Sequence, residues 1–185
     1  MEYREYWQII SEKGEELNTL ISSYWNDYSG FDTWQFWVVL FLLISPLLLL
    51  YFKVDRTRIF EVLFFGYTVH ILWTYTDIAL ERYRLFVHTY FISPAFPNAI
   101  NMTASVIPVF FLLLYQYCTN RNKNFFLYAI LLSAILAFPT AAFEIYILEM
   151  AELKKGFQLF HIFLIDIAIA YTAYLFTKLL LRWRR

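Results

Sequence analysis

The stretch Ile59 to Leu80, IFEVLFFGYTVHILWTYTDIAL, decides the fold. At a rise of ~1.5 Å per residue it is long enough to cross the hydrocarbon core of a bilayer as one helix. It also carries Glu61, His70 and Asp77 inside that length. An ionisable side chain in hydrocarbon is costly unless it is paired, solvated or neutralised. The other apolar stretches must therefore pack around this one and turn these groups inward.

The rest of the chain supplies such stretches. Of 185 residues, 61% are hydrophobic and 22% aromatic, more apolar than a soluble domain, which is roughly half apolar. Fifteen basic residues balance fifteen acidic ones, so net charge points to no nucleic-acid partner. The single Cys118 excludes an intrachain disulfide and a cysteine-based zinc cluster. Five glutamates in the first thirty residues and the lack of a basic start before a short apolar core argue against a cleavable signal peptide.

Working outward, the expected fold class is all-α: a polytopic membrane protein of five transmembrane helices plus an amphipathic amino-terminal helix. Residues 1–30 form the amphipathic helix, because Tyr3, Trp7, Ile10, Gly14, Leu17, Ile21, Tyr24 and Tyr28 recur at alternating spacings of four and three. It lies on the membrane surface or caps the bundle; a partner-binding or self-associating helix is the sharper alternative. Its acidic polar face is a poor match for anionic lipid. Residues 31–185 form the bundle, with spans at about 33–52, 59–80, 100–117, 125–148 and 157–180. Trp34 and Trp37 mark an interface, and Pro46 should kink the first span. The loop KVDRTR, Lys53 to Arg58, is short enough to force an antiparallel hairpin.

Lysine and arginine counts set the expected orientation. Lys53, Arg56, Arg58, Arg121, Lys123, Lys178, Arg182, Arg184 and Arg185 fall on one side, against Arg4, Lys13, Arg82, Arg84, Lys154 and Lys155 on the other. The richer side should be cytoplasmic, with the amino terminus outside and the carboxyl terminus inside a cell membrane.

Polar groups inside the spans are the functional signal. Gly66, His70, Thr74, Asp77, Glu81, Arg84 and His88 share a stripe if the second helix runs past Leu80. By helical rise, Asp77, Glu144 and His161 lie ~5–6 Å below the outer ends of their spans, and Asp166 and His70 ~14–15 Å. Asn101 opens the third span. His70, Thr74, Asp77, Glu81, Asn101, Glu144, His161 and Asp166 are therefore expected to converge in the outer half of the bundle. Asp55, Arg56, Arg58 and Glu61 are expected to form structural ion pairs at the other end. Ser133, Ala137 and Ala141 face Asp166, Ala170, Ala173 and Thr177 as close-packing stripes, within the chain rather than between copies.

Three readings compete for the outer cluster. It is a polar plug that holds the helices in register. It is a pocket for a small polar or cationic ligand, or a proton path, in a sensor, a subunit of a membrane assembly, or a small proton-coupled or cation-handling transporter. Or it is a metal-dependent intramembrane enzyme; the side chains suffice in number, but no HExxH spacing or nucleophile motif is present. The leading expectation is a non-enzymatic unit with no assigned catalytic or metal-binding residue and no assigned cofactor. The bilayer is its first partner; a membrane-protein partner or a second copy is possible, since five passes are few for a self-sufficient carrier.

Several stretches carry a family resemblance. Trp34 with Trp37, Pro46, K-V-D-R-x-R-x-x-E from Lys53 to Glu61, Gly66, Asp77, Pro108-Val109 and L-L-L-Y-Q-Y from Leu112 to Tyr117 resemble a family of small hydrophobic membrane proteins from spore-forming Gram-positive bacteria. The resemblance implies a five-pass topology in a bacterial cell membrane and no established activity. Members tend to carry Glu-Pro after Ala-Phe in the fourth span; here Ala137-Phe138 is followed by Pro139, and the acid comes at Glu144. YRLFVHTYFISP replaces the tryptophan and Tyr-Pro-Tyr usual after the second span. The five-pass, Trp-rich plan also resembles the tryptophan-rich sensory proteins in architecture, without shared residues.

Overall fold

The computed structural model describes residues 2–183. They are almost wholly helical: α1 (Tyr3–Tyr24), α2 (Trp34–Lys53), α3 (Ile59–Arg82), α4 (Ile107–Asn120), α5 (Phe125–Ile135), α6 (Ala141–Tyr146) and α7 (Leu159–Trp183). Two three-residue strands, β1 (Phe86–His88) and β2 (Ala151–Leu153), pair antiparallel. Side chains set several of the helix starts. Thr33 accepts from the Phe36 N–H at the start of α2, and Asn124 accepts from Phe126 and Leu127 at the start of α5. Each meets a backbone donor that the first helical turn leaves free.

Four helices are long and apolar enough to cross a membrane: Trp34–Lys53, Met102–Asn120, Phe125–Tyr146 and Leu159–Trp183. This fold is compatible with a multi-pass membrane protein. The expected count of five is corrected to four on these criteria. Helix α3 has the length, 24 residues, but Glu61, His70, Asp77, Glu81 and three threonines dilute its apolarity. It is instead the central helix, burying Val62, Phe65, Gly66, Val69, Trp73, Asp77 and Leu80 against α4 and α7. Gly66 permits the close approach to α4, since a Cβ there would collide with the Leu112 side chain.

Two of these four, Met102–Asn120 and Phe125–Tyr146, are not uniform helices. Met102–Val106 makes a π-helical turn ahead of α4, and Leu136–Thr140 makes another between α5 and α6. Pro139 has no N–H to donate within the second turn, and the wider winding absorbs the missing bond. The small-residue stripes meet within the chain: Ala129, Ser133 and Ala137 are fully buried, as are Ala170 and Ala173 of α7.

Helix α1 has no buried residue. It joins the bundle through its last residue, Tyr24, and the π-helical turn Trp25–Ser29 that follows it. Tyr24 Oη donates to the Thr89 carbonyl (3.0 Å), Trp25 Nε1 to the Phe91 carbonyl (3.0 Å), and Ser29 both donates to and accepts from the Phe91 backbone. The loop after α3 is thereby fixed from two directions, by this turn and by β2.

The remaining end of the bundle carries an aromatic column. Phe65 stacks on Tyr115 (4.5 Å between centroids), and Phe125 stacks on Tyr174 (4.7 Å) and meets Phe65 edge-on. Lys178 Nζ sits 5.6 Å from the Tyr115 ring centroid and 5.5 Å from that of Tyr174.

Candidate functional site

Two separate polar groups lie at opposite ends of α3. The first closes the hairpin of α2 and α3 onto the end of α4. Asp55 accepts from the Thr57 N–H and Oγ1 and from Asn120 Nδ2, and its own N–H donates to Gln116 Oε1 (2.7 Å). These contacts hold the Asp55 carboxyl below its usual range. Arg58 pairs with Glu61 (2.5 Å) and also donates to Thr119 Oγ1 and Asn120 Oδ1. Tyr115 Oη donates to the same glutamate (2.5 Å). The K-V-D-R loop and the Tyr-Gln-Tyr exit of the third span, far apart in sequence, thus touch each other directly. Of the expected ion-pair set only Arg58 and Glu61 pair among the described residues; Asp55 is held by neutral hydrogen bonds, and Arg56 lies over the Tyr51 ring.

Because Arg58 and Glu61 are only partly buried, their pairing is worth less than a sealed one. Arg58→Ala is expected to cost about 1–2 kcal/mol, as Glu61 keeps Tyr115 alone. In a double-mutant cycle with Glu61→Gln, measured by denaturation in detergent, the two losses should be less than additive. Additive losses would mean that the pair is uncoupled.

The second group lines a small cavity in the other half of the bundle. Its volume is about 30 Å³, room for one or two water molecules. Asp77 of α3, Glu144 of α6 and Asp166 of α7 line it, with Trp73, Thr103 and His88 of β1, among apolar walls from Phe86, Ile107 and Ile162. Trp73 Nε1 donates to Asp166 Oδ1 (3.0 Å), both deeply buried. His88 is 5% exposed, and neither ring nitrogen has a hydrogen-bond partner among the described residues. Its Nδ1 stands 3.9 Å from Asp77 Oδ1, beyond hydrogen-bond reach. Burial holds the imidazole neutral, pushing its pKa down to about 4.

Of the eight residues expected to converge, the structure brings three to this cavity: Asp77, Glu144 and Asp166. The others go elsewhere for identifiable reasons. His70 Nδ1 lies 2.8 Å from the Thr103 carbonyl and 3.2 Å from Thr74 Oγ1, and His70 lines a separate groove between α2, α3 and α4. Glu81 accepts from Asn98 in the loop. Asn101 is buried ahead of the π-helical turn and does not line the cavity. His161 is exposed, its Nδ1 accepting from the Gln158 N–H (3.0 Å) as a cap on α7.

The stripe on α3 is likewise corrected. The helix ends at Arg82, and Arg84 adopts φ +56°, so the chain turns back. His88 reaches Asp77 from a strand, not from a further helical turn. Trp73 and Thr103 are contributors that helical spacing did not single out, and His88, placed in the stripe, arrives by a different backbone route. Three-residue strands are too short to leave a period-2 signal.

Among the described residues, no three His, Cys, Asp or Glu side chains are arranged to hold a metal ion. No family model, curated protein or solved structure matches the chain.

Proposed function

We propose that this chain is a non-enzymatic integral membrane protein, a sensor or a subunit of a membrane assembly, that binds a small cation or a proton in the buried acidic cavity. The observation that carries this reading is the convergence of three acids from three helices on one cavity with an unpartnered imidazole. Buried polar groups are costly unless matched, and a bound species matches them. The cavity's volume suits a cation of water size rather than a larger ligand. In this reading the four long apolar helices cross the bilayer with α3 packed among them, and the protein resides in a bacterial cell membrane. The cavity, α1 and the β1–β2 pair face outward, and the basic carboxyl-terminal end faces the cytoplasm. As a subunit, it would be completed by a second copy or by another membrane protein.

Transport is the weaker reading. Val62, Phe65, Val69, Phe111 and Leu112 fill the centre between the two polar groups, leaving an apolar barrier.

Trp73 supplies the test, because its indole touches Asp166 inside the cavity. Tryptophan emission of the protein in detergent is expected to respond to pH between 5 and 8, or to cations of graded size, and Trp73→Phe should remove the response. Emission and stability insensitive to all of them would leave the polar plug.

A further inference from the structure

Resting on that binding reading, we infer that the cavity's ligand is ammonium, bridging Asp77 and His88. The unpartnered imidazole narrows the choice. A neutral imidazole offers one nitrogen lone pair, a strong acceptor for an N–H donor. Alkali and alkaline-earth ions favour oxygen ligands, so His88 would add little for them. Transition metals favour imidazole, but no three candidate ligands converge on one point here. A cavity of about 30 Å³ excludes organic cations much larger than ammonium. The 3.9 Å between His88 Nδ1 and Asp77 Oδ1 is a gap that one ammonium, with N–H···O and N–H···N distances of ~2.8–3.0 Å, can bridge. Asp166 and Glu144 line the same cavity and add negative charge that favours a cation, while Trp73 and Thr103 stay on the cavity wall. The β1–β2 pair holds His88 over the site, so opening that pair admits the ion.

The test uses the full-length protein in detergent at pH 7.5 and constant ionic strength. Ammonium chloride should raise the unfolding midpoint saturably, by at least about 3 °C. Sodium, potassium and tetramethylammonium chlorides should not. His88→Gln and Asp77→Asn, each checked for native helicity by circular dichroism, should lose the shift. Equal shifts with all four salts, or an ammonium shift that survives in both variants, would overturn the assignment. If Trp73 emission follows pH while ammonium has no effect, the ammonium assignment falls and proton binding stands. If neither has an effect, both readings fall.

Discussion

Lowering the pH from 6.5 to 4 is expected to remove on the order of 3 kcal/mol of stability through His88 alone. In the unfolded chain this imidazole takes up a proton near pH 6.5; in the folded one it does so only near pH 4. Above pH 6.5 both states are neutral and His88 contributes nothing to the pH dependence. Between the two values the unfolded state binds the extra proton, so stability falls as pH falls, and it levels off below about 4. The groups facing the ring are Asp77 at 3.9 Å, the Phe86 ring at 4.4 Å, and Glu144 and Asp166 across the cavity. An ionised carboxylate among them would pair with the imidazolium and reduce the loss. The measurement is denaturation in detergent from pH 4 to 7.5 for the wild type, His88→Phe and Asp77→Asn. His88→Phe keeps a ring in the site and cannot titrate, so its profile should be flatter. A wild-type profile parallel to that of His88→Phe would show that burial does not govern this histidine.

Phe65→Ala is expected to cost about 3 kcal/mol, even though lipid already solvates apolar side chains. Within a membrane the transfer of Phe65 away from water adds little, because the unfolded reference is itself in lipid. What remains is the hole left behind, roughly 100 Å³ at ~24 cal/mol per Å³, together with the lost stacking on Tyr115 and edge contact with Phe125. Phe65 is fully buried, so nothing near it can relax into solvent or lipid. Phe60→Ala is the control: 87% of that side chain is exposed, and its loss should be close to zero. Similar losses for the two variants would mean that the column is not a packed core.

Helical architecture was legible because length and apolarity are local properties. The first span, expected at 33–52, is Trp34–Lys53, and the fifth, expected at 157–180, is Leu159–Trp183. That Glu61 would take a basic partner at this end was legible, and among the candidates the structure selects Arg58. The cavity was legible only in part. Depth along each helix placed Asp77 and Glu144 at one level and Asp166 deeper in the same half, and depth carries no information about azimuth. His70 shares the stripe with Asp77, yet it is claimed by the Thr103 carbonyl on the α4 side. His161 stands at a suitable depth, yet it is spent on capping. The π-helical turn at Leu136–Thr140 intervenes before Glu144, and such a turn shifts the facing of everything beyond it. His88 depended on a strand pairing across more than sixty residues, which no local pattern encodes.

That pairing also orders events during synthesis. The partners of Phe86, Val87 and His88 are Leu153, Glu152 and Ala151, so the clasp cannot shut until the whole fourth span has emerged and the chain has doubled back. Until then the imidazole and Asp77 are open to water, and the helices formed earlier wait without a roof. The acidic chamber is therefore among the last parts of the molecule to be completed, and a ribosome stalled before residue 151 would hold a nascent protein with most of its core but no closed site.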